Sequence, residues 1–276
     1  MNLPSLREVT AQIEALYPPT LAEDWDTNGL IVGDPDAPVG TICLAVDPVP
    51  ETVSAALVWE ADLLWTHHPL YLRGTSFVSS ADPKGSMVAN LIRSGCGLYN
   101  SHTNADSAHG GVADALAAAL GVADCKPIVP AEGDSNLGLG RWGYLDEPVS
   151  LGEFARVVAA ALPKGPQGIL VGGDLNGRVH KVAVSGGAGD GLLDNVRQLG
   201  ADVFVTADLR HHPASEHLMQ GKPYLINGSH WATERLWCDF AAKALQSHLG
   251  HTVKIIVLDE VTEPWQQWLP TGGCEQ

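Results

Sequence analysis

The stretch Ala61-Asp-Leu-Leu-Trp-Thr-His-His-Pro69 joins a short apolar run to two adjacent histidines. The run from Leu63 to Trp65 is typical of a buried strand that lies parallel to its neighbours. Pro69 cannot continue a central strand, so His67 and His68 are predicted at the carboxyl end, where ligands bind in open α/β sheets. Side chains alternate along a strand, so both imidazoles can serve one site only where the strand gives way to a loop. The alternatives are two metal ions side by side, or a polar turn without metal.

Three later stretches repeat this layout, with histidines and carboxylates at the end of an apolar strand: Leu98–Asp106, Asp202–His212 and Tyr224–Glu234. Such strand ends can converge along one edge of a sheet or in a cleft between two sheets. The candidate metal ligands are His67, His68, His102, Asp106, His230 and Glu234. Imidazole and carboxylate donors without thiolate suit Zn, Fe, Mn, Co or Ni.

The size of this donor set favours two divalent metal ions per chain. A closed structural zinc site needs four ligands, whereas six donors fit two ions that keep open positions. Two such ions ~3.5–4 Å apart can activate a bound water and polarise a substrate oxygen.

His230 and Glu234 are predicted to share one face of a helix over residues 231–246, if His230 lies on the first turn of that helix. His102 and Asp106 are predicted in a loop. Asp47, Asp208 and His212 are candidate acid–base or ligand-supporting residues, with a purely structural role as the alternative. The other histidines have no such context and are mostly predicted to be solvated: His109, His180, His211, His217, His248 and His251.

The order of elements predicts an α/β fold built from two pseudo-duplicated halves, with the dinuclear metal site in the cleft between them. In each half, three strands alternate with helices, and a carboxylate lies four residues after the histidine at the end of the third strand. The first half is placed at 1–126 and contains His67, His68, His102 and Asp106. The second half is placed at 127–276 and contains His230 and Glu234.

Local signals mark three further features of the second half. The Pro- and Gly-containing segment 126–150 is predicted to be a boundary or crossover. Ser150 and Glu153 are placed to cap a helix over 151–162. The glycine-rich run Ser185–Gly189 is predicted to be a tight turn that opens a helix; without a P-loop lysine, it is only a weak phosphate-binding signal.

Composition excludes several function classes. The chain has 276 residues, of which 45% are hydrophobic, and no apolar run approaches the ~18 residues of a membrane helix. The amphipathic start lacks the apolar core of a signal peptide, so the protein is predicted to be cytoplasmic. The net charge of −16, without a cluster of Lys and Arg, argues against nucleic-acid binding. Five scattered cysteines argue against a disulfide framework.

These motifs together resemble the Nif-three-like family, whose members are often called GTP cyclohydrolase 1 type 2 homologues. The resemblance runs over nearly the whole chain and rests on five motifs in the family's order: Trp25-Asp26 with Gly29-Leu30, His67-His68-Pro69, His102-Thr103-Asn104 with Asp106 and Gly110-Gly111, Thr206 with Asp208 and His212, and His230 with Glu234. The sequence departs from the family pattern at Thr27, Ala105 and Ala207, and none of these departures removes a ligand.

The resemblance implies that the six donors are ligands of a two-metal site. It further implies an α/β fold with related halves, a homo-oligomer in the form of a toroidal hexamer, and no inserted domain in the short segment 126–150. One function is a metal-dependent hydrolase that acts on a small molecule such as the purine nucleotide GTP. The alternative is a non-catalytic metal carrier or a metal-dependent interaction scaffold.

Overall fold

The computed structural model describes residues 3–270. Over this range the chain forms nine α-helices: α1 Leu6–Leu16, α2 Pro50–Val58, α3 Pro83–Ser94, α4 Thr103–Ser107, α5 Val112–Ala119, α6 Leu151–Ala161, α7 Leu193–Gln198, α8 His211–Leu218 and α9 His230–Leu249. The same residues form thirteen strands: β1 Gly29–Val32, β2 Thr41–Ala45, β3 Leu63–Thr66, β4 Gly97–Asn100, β5 Ala123–Lys126, β6 Val129–Ala131, β7 Asp134–Leu139, β8 Arg141–Ser150, β9 Leu170–Gly172, β10 Arg178–Ala188, β11 Val203–Ala207, β12 Tyr224–Gly228 and β13 Lys254–Val257. The protein therefore has the predicted mixed α/β fold.

The chain divides into two compact units, each with its own main sheet. The first unit contains the residues up to Ala115, together with Val129–Gly140 and Arg235–Thr262. The second unit contains Leu116–Ile128, Arg141–Glu234 and the residues from Glu263 onward. One boundary between the units falls within α9, immediately after Glu234.

The sheet of the first unit has the strand order β1-β4-β3-β2-β13. Strands β4, β3, β2 and β13 are parallel, and only β1 at the edge is antiparallel to its neighbour. Every residue of β3 and β4 is buried, which confirms the prediction of a buried parallel strand before His67. Because the three parallel strands β2, β3 and β4 are paired in register, their carboxyl ends lie at one edge of the sheet.

Both faces of this sheet are covered. On one face, Leu64 and Leu98 pack in an apolar cluster with Val53 of α2 and Leu91 of α3. Elsewhere in the core of this unit, an aromatic group is formed by Trp65, Tyr17 and Trp237, whose ring centroids are 5.4–5.9 Å apart. Full burial of side chains this large stabilises the unit by several kcal/mol, at about 25 cal/mol per Å² of apolar surface.

The sheet of the second unit has the order β5-β8-β10-β11-β12-β9. Strands β10, β11 and β12 are parallel, and β9 at the edge is antiparallel to β12. The prediction that Ser185–Gly189 is a tight turn opening a helix is wrong, because β10 continues to Ala188 and shifts its register between Val184 and Ala188. A single 3-10 turn at Asp190–Leu192 then precedes α7.

The segment 126–150 is a set of strands rather than a long irregular crossover. Strands β6 and β7 pair with each other in an antiparallel hairpin. Strand β8 pairs with both β5 and β10 in the sheet of the second unit. The glycines of this segment therefore lie in or between strands.

Two predictions about the whole chain concern membranes and cysteines. Between residues 3 and 270, no helix is long and apolar enough to cross a membrane. Cys43, Cys96 and Cys238 are buried, whereas Cys125 is exposed. Cys274 lies outside the described residues.

Candidate metal centre

The carboxyl end of β3 brings His67 and His68 to the same place. The backbone N–H of His67 still donates to Ala45 and that of His68 to Val46, so both residues continue the pairing with the β2 side. The strand itself ends at Thr66, whose Oγ1 donates to the carbonyl of His68 over 2.8 Å and closes a tight turn. The turn breaks the alternation of side chains along the strand. The ring centroids of the two histidines are consequently only 4.9 Å apart.

The carboxyl end of β4 supplies His102. His102 is the residue that precedes α4, and its backbone N–H donates to Oδ1 of Asn28 over 2.8 Å. The prediction of a loop is therefore confirmed for His102 but wrong for Asp106, which lies inside α4. The helix was missed because its five residues are too few to show a helical period.

The three imidazoles form a cluster within the first unit. The ligand atoms of His67, His68 and His102 lie within 4.8 Å of one another. The ring of His102 is 5.3 Å from that of His67 and 5.5 Å from that of His68, measured between centroids. His67 is 1% exposed, whereas the other two rings are partly exposed. The cluster thus has a buried base and an accessible side.

Each of these rings is oriented through Nδ1. The Nδ1 of His67 lies 2.9 Å from the carbonyl oxygen of Ser101, and that of His68 lies 2.7 Å from Oδ1 of Asp47. The Nδ1 of His102 lies 3.0 Å from Oδ1 of Asp26. A neutral ring at His67 or His68 donates Nδ1–H to its acceptor, and the approach of Nδ1 of His102 to Asp26 favours the same tautomer, so each ring presents an unprotonated Nε2. This is the arrangement of metal-binding histidines, in which a carboxylate or carbonyl fixes the tautomer.

The electrostatics of His102 and Asp26 agree with that arrangement. Burial, reinforced by the nearby His67, lowers the pKa of His102 to about 4, although Asp26 acts in the opposite direction. Burial by itself raises the pKa of Asp26, but hydrogen bonds from His102 and Thr103 outweigh it and hold that pKa below its usual range. At neutral pH the imidazole is therefore neutral and the carboxylate is charged.

Asp106 adds a carboxylate to the cluster. Its Oδ1 lies 3.7 Å from Nε2 of His67, and its side chain is 26% exposed. Three imidazoles and one carboxylate fit a divalent transition metal, since nitrogen and oxygen donors of this kind bind Zn, Fe, Mn, Co and Ni.

The second unit carries the remaining two predicted ligands. His230 is the first residue of α9, and its Nε2 lies 3.0 Å from Oε1 of Glu234 one turn later. This confirms that both face the same side of the helix. Glu234 is 3% exposed. The Nδ1 of His230 lies 2.8 Å from Oδ2 of Asp208, so this ring is oriented as the other three are.

Asp208 adopts an unusual backbone conformation directly after β11. Its φ is 53°, in the left-handed region that non-glycine residues seldom occupy. Aspartate tolerates this region better than most residues, because its short side chain can form local hydrogen bonds. The strain is consistent with a residue held in place to orient His230.

The end of β10 passes directly over the His230–Glu234 pair. Gly187 has a φ of +64°, and a Cβ at this position would lie 2.4 Å from Oε1 of Glu234. Two buried threonines fix the glycine: its N–H donates to Oγ1 of Thr233 and its carbonyl accepts from Oγ1 of Thr206, each over 3.0 Å. Only glycine lets the backbone come this close to the carboxylate.

The other predicted residues have distinct positions. Asp47 and Asp208 contact ring nitrogens of His68 and His230. An acid–base role for these two aspartates stays a prediction. His212 is exposed on α8, and its ring packs against that of His211 with centroids 5.2 Å apart. A catalytic role for His212 stays a prediction. The prediction that His217 is solvated is wrong, because this side chain is 1% exposed.

Three residues of the site were not identified from the sequence as site residues: Asp26, Ser101 and Gly187. Asp26 lies in a polar turn, and its carboxylate reaches across 77 positions to the N–H of Thr103. Ser101 contributes a backbone carbonyl, which carries no sequence signal. The signal that could have revealed Asp26 is its place beside Trp25 in the acidic stretch Glu23–Asp26.

Comparison with known proteins shows the family to which the chain belongs. The family described as Duf34/NIF3 (NGG1p interacting factor 3) matches residues 4–264. The chain belongs to the DUF34/NIF3 family. A Streptomyces coelicolor relative named "GTP cyclohydrolase 1 type 2 homolog" is 46% identical over 268 residues, which cover 95% of this chain and 94% of the relative.

Solved structures share the fold of this DUF34/NIF3 chain. A Bacillus cereus protein related to NIF3 matches with a TM-score of 0.90 at 24% identity, covering 96% of this chain and 99% of that one. Reduced HcgD from Methanocaldococcus jannaschii matches with a TM-score of 0.77 at 28% identity, covering 93% of this chain and 98% of that one.

Proposed function

We propose that this DUF34/NIF3 chain binds two divalent metal ions and is a metal-dependent hydrolase that acts on a purine nucleotide. The six ligands are His67, His68, His102, Asp106, His230 and Glu234. The observation that carries the proposal is the His67–His68–His102 cluster, in which three donor atoms lie within 4.8 Å and each Nδ1 faces an oxygen acceptor. A structural cluster of neutral histidines would not require every ring to present the same nitrogen.

The second ligand set is supported by features that the two predicted halves share. In both, an 11-residue helix starts with a reciprocal Ser–Glu capping box, Ser5 with Glu8 and Ser150 with Glu153. In both, an antiparallel edge strand lies next to three parallel strands of the same half. The edge strand is β1 beside β4, β3 and β2 in the first half, and β9 beside β12, β11 and β10 in the second.

The shared features extend to single hydrogen bonds. The carboxylate of Asp62 accepts from the backbone N–H groups of Gly40 and Thr41, at the start of β2. The carboxylate of Asp202 accepts from those of His180 and Lys181, near the start of β10. We infer that the halves are pseudo-duplicated, and that His230 and Glu234 are the counterparts of His102 and Asp106. Both pairs then bind metal because they occupy equivalent positions in the two halves.

Bound metal ions would lower the pKa of a water molecule and polarise a substrate oxygen. The chain's own residues orient the ligands for this purpose. Asp47 and Asp208 hold the rings of His68 and His230, and their negative charge makes each imidazole a stronger base. The buried base of the cluster at His67 limits access of water from that side.

The substrate class follows the name of the S. coelicolor relative, "GTP cyclohydrolase 1 type 2 homolog", which points to GTP or a related purine nucleotide. Metal ions suit such a substrate, because this chain carries a net charge of −16 and would otherwise repel a polyanion. A toroidal homohexamer and a cytoplasmic location stay predictions.

The proposal is tested by turnover. Metal-free protein is reloaded with Zn, Fe, Mn, Co or Ni and assayed with GTP and a panel of other nucleotides, phosphoesters and amides. We expect metal-dependent hydrolysis that is lost in His68→Ala and retained in His251→Ala, a matched change at an exposed histidine outside the ligand set. If the metal-loaded protein turned over nothing in the panel, the hydrolase would be rejected in favour of a metal carrier.

A further inference from the structure

Trp25 is an exposed aromatic side chain beside the His67–His68–His102 cluster. Its indole is 60% exposed, although burying a side chain of this size is strongly favoured. The indole packs against the ring of His102, with centroids 5.8 Å apart and an angle of 79° between the ring planes. Trp25 therefore forms a wall next to a proposed ligand while most of its surface remains open.

The backbone around Trp25 is firmly held. On one side, the N–H of Glu23 donates to Oγ1 of Thr103 over 3.0 Å. On the other side, Oδ2 of Asp26 accepts from the N–H of Thr103 over 3.1 Å and from its Oγ1 over 2.6 Å. The second oxygen of Asp26 faces Nδ1 of His102. The same carboxylate thus fixes both the ligand ring and the loop that presents the indole, so that Trp25 is held at a set place relative to His102.

The loop offers a flat apolar surface and negative charge, but no cation. Glu23, Asp24 and Asp26 flank the indole in sequence. Such a loop cannot bind a phosphate or carboxylate group by ion pairing. Its carboxylates can accept hydrogen bonds from N–H donors, and base–aromatic stacking requires only a π-face. The loop therefore suits a planar ring that carries N–H donors.

We propose that Trp25 stacks on the planar heteroaromatic ring of the substrate and selects for it. The inference rests on the proposed function, because it assigns the ring of the nucleotide to Trp25 and leaves the phosphates to the metal ions. A ring stacked parallel to the indole lies nearly perpendicular to the imidazole of His102, as the indole does. Trp25 is then a specificity-determining residue, and it is not a ligand of the metal.

The test compares two probes that differ only in the base. Binding of GMP and of ribose 5-phosphate to the metal-loaded full chain is measured by titration calorimetry, for the wild type and for Trp25→Phe and Trp25→Ala. The matched control is Trp59→Ala, since Trp59 is 48% exposed and packs against Lys254 instead. Metal content and molecular mass are measured for every sample.

We expect Trp25→Ala to weaken GMP binding about 10-fold or more, the loss typical of one base–aromatic stack, while Trp25→Phe stays within about 3-fold of wild type. Affinity for ribose 5-phosphate and metal content should be unchanged in all variants. The inference is overturned if Trp25→Ala binds GMP as the wild type does, or if it weakens both probes equally. Loss of assembly without a change in base selectivity would also overturn it, and would place Trp25 at an interface between copies. A wild type that holds no metal rejects the proposed function, whereas failure of stacking in a metal-loaded protein rejects only this inference.

Discussion

At the scale of single residues, the choice of ring nitrogen is the feature that the four candidate histidine ligands share. His67, His68, His102 and His230 each place Nδ1 against an oxygen, at 2.7–3.0 Å. Three of the four oxygens belong to aspartates and one to a backbone carbonyl. The common consequence is that Nε2 of each neutral ring carries the lone pair for a metal.

Asp47 provides a test of this orientation. In Asp47→Asn the amide oxygen can still accept from Nδ1 of His68, but the negative charge that strengthens the imidazole is lost. We expect metal affinity to fall by about 10- to 100-fold without loss of the fold, as for other residues that support a ligand. Competition with a chelator measures the change. The control is Asp36→Asn, at an exposed aspartate that pairs with Arg7; equal affinity in both variants would contradict the role given to Asp47.

His217 has a structural role that the sequence did not reveal. Its Nε2 lies 2.9 Å from the carbonyl of Pro223, and Nη2 of Arg197 lies 2.6 Å from its Nδ1. The neutral ring therefore donates from Nε2 and accepts at Nδ1. Burial, together with the charge of Arg197, lowers the pKa of His217 below its usual value.

The lowered pKa gives a direction for the pH dependence of stability. The unfolded chain binds this proton more readily than the folded chain, so the contribution of His217 is complete above a pH of about 6.5 and is lost as the pH falls below it. At pH 7.5 we expect His217→Gln to reduce the free energy of unfolding by about 1–3 kcal/mol. Urea unfolding at pH 5.5 should show a smaller difference from wild type, and His251→Gln should show none at either pH. A difference that did not change with pH would refute the assignment.

At the scale of elements, the sequence predicted the presence of a strand better than the residue at which the strand ends. Leu63–Trp65 identified β3, and Ser150 with Glu153 identified the capped start of α6, because apolar runs and caps are local signals. The short helix α4 and the extension of β10 through Ser185–Ala188 were missed. The first is too short to show a period. In the second, Gly187 is explained only by contacts with Thr206, Thr233 and Glu234, which are distant in sequence.

The same distinction between local signals and contacts distant in sequence applies to the site. The proposed ligands were named from the sequence because histidine and carboxylate residues at strand ends are recognisable there. Of the groups that orient them, Asp47 and Asp208 were also named from the sequence, whereas Asp26 and the carbonyl of Ser101 reach His102 and His67 only after the chain has folded.

Gly187 tests how closely β10 must approach the ligand pair. In Gly187→Ala the new methyl group would overlap Glu234, and the φ of +64° would be strained for alanine. We expect a loss of about 1–3 kcal/mol in the free energy of unfolding, together with weaker metal binding. Thermal unfolding and metal titration measure the two effects.

The matched control is Gly191→Ala, because a Cβ at Gly191 meets no atom within 4 Å. This variant should keep both the stability and the metal affinity of the wild type. If Gly187→Ala bound metal as tightly as Gly191→Ala, the close approach of β10 would have no part in positioning Glu234.

At the scale of the whole molecule, an acidic chain carries a set of oriented imidazole donors. A net charge of −16 concentrates cations near the surface but does not select among them. Selection among cations would come from the six proposed donors, of which four lie in the first predicted half and two in the second. The proposed nucleotide hydrolysis and the proposed ring stacking at Trp25 both depend on this metal content.

The most direct test is therefore elemental analysis of purified, tag-free protein, with transition metals counted per chain. We predict about two ions per chain, with a clear loss in His67→Ala and in Glu234→Ala, one variant from each ligand set, and no change in His251→Ala. A value near zero, even after reloading with each candidate metal, would contradict the metal centre. Two ions that persisted in both ligand variants would contradict the assignment of its residues.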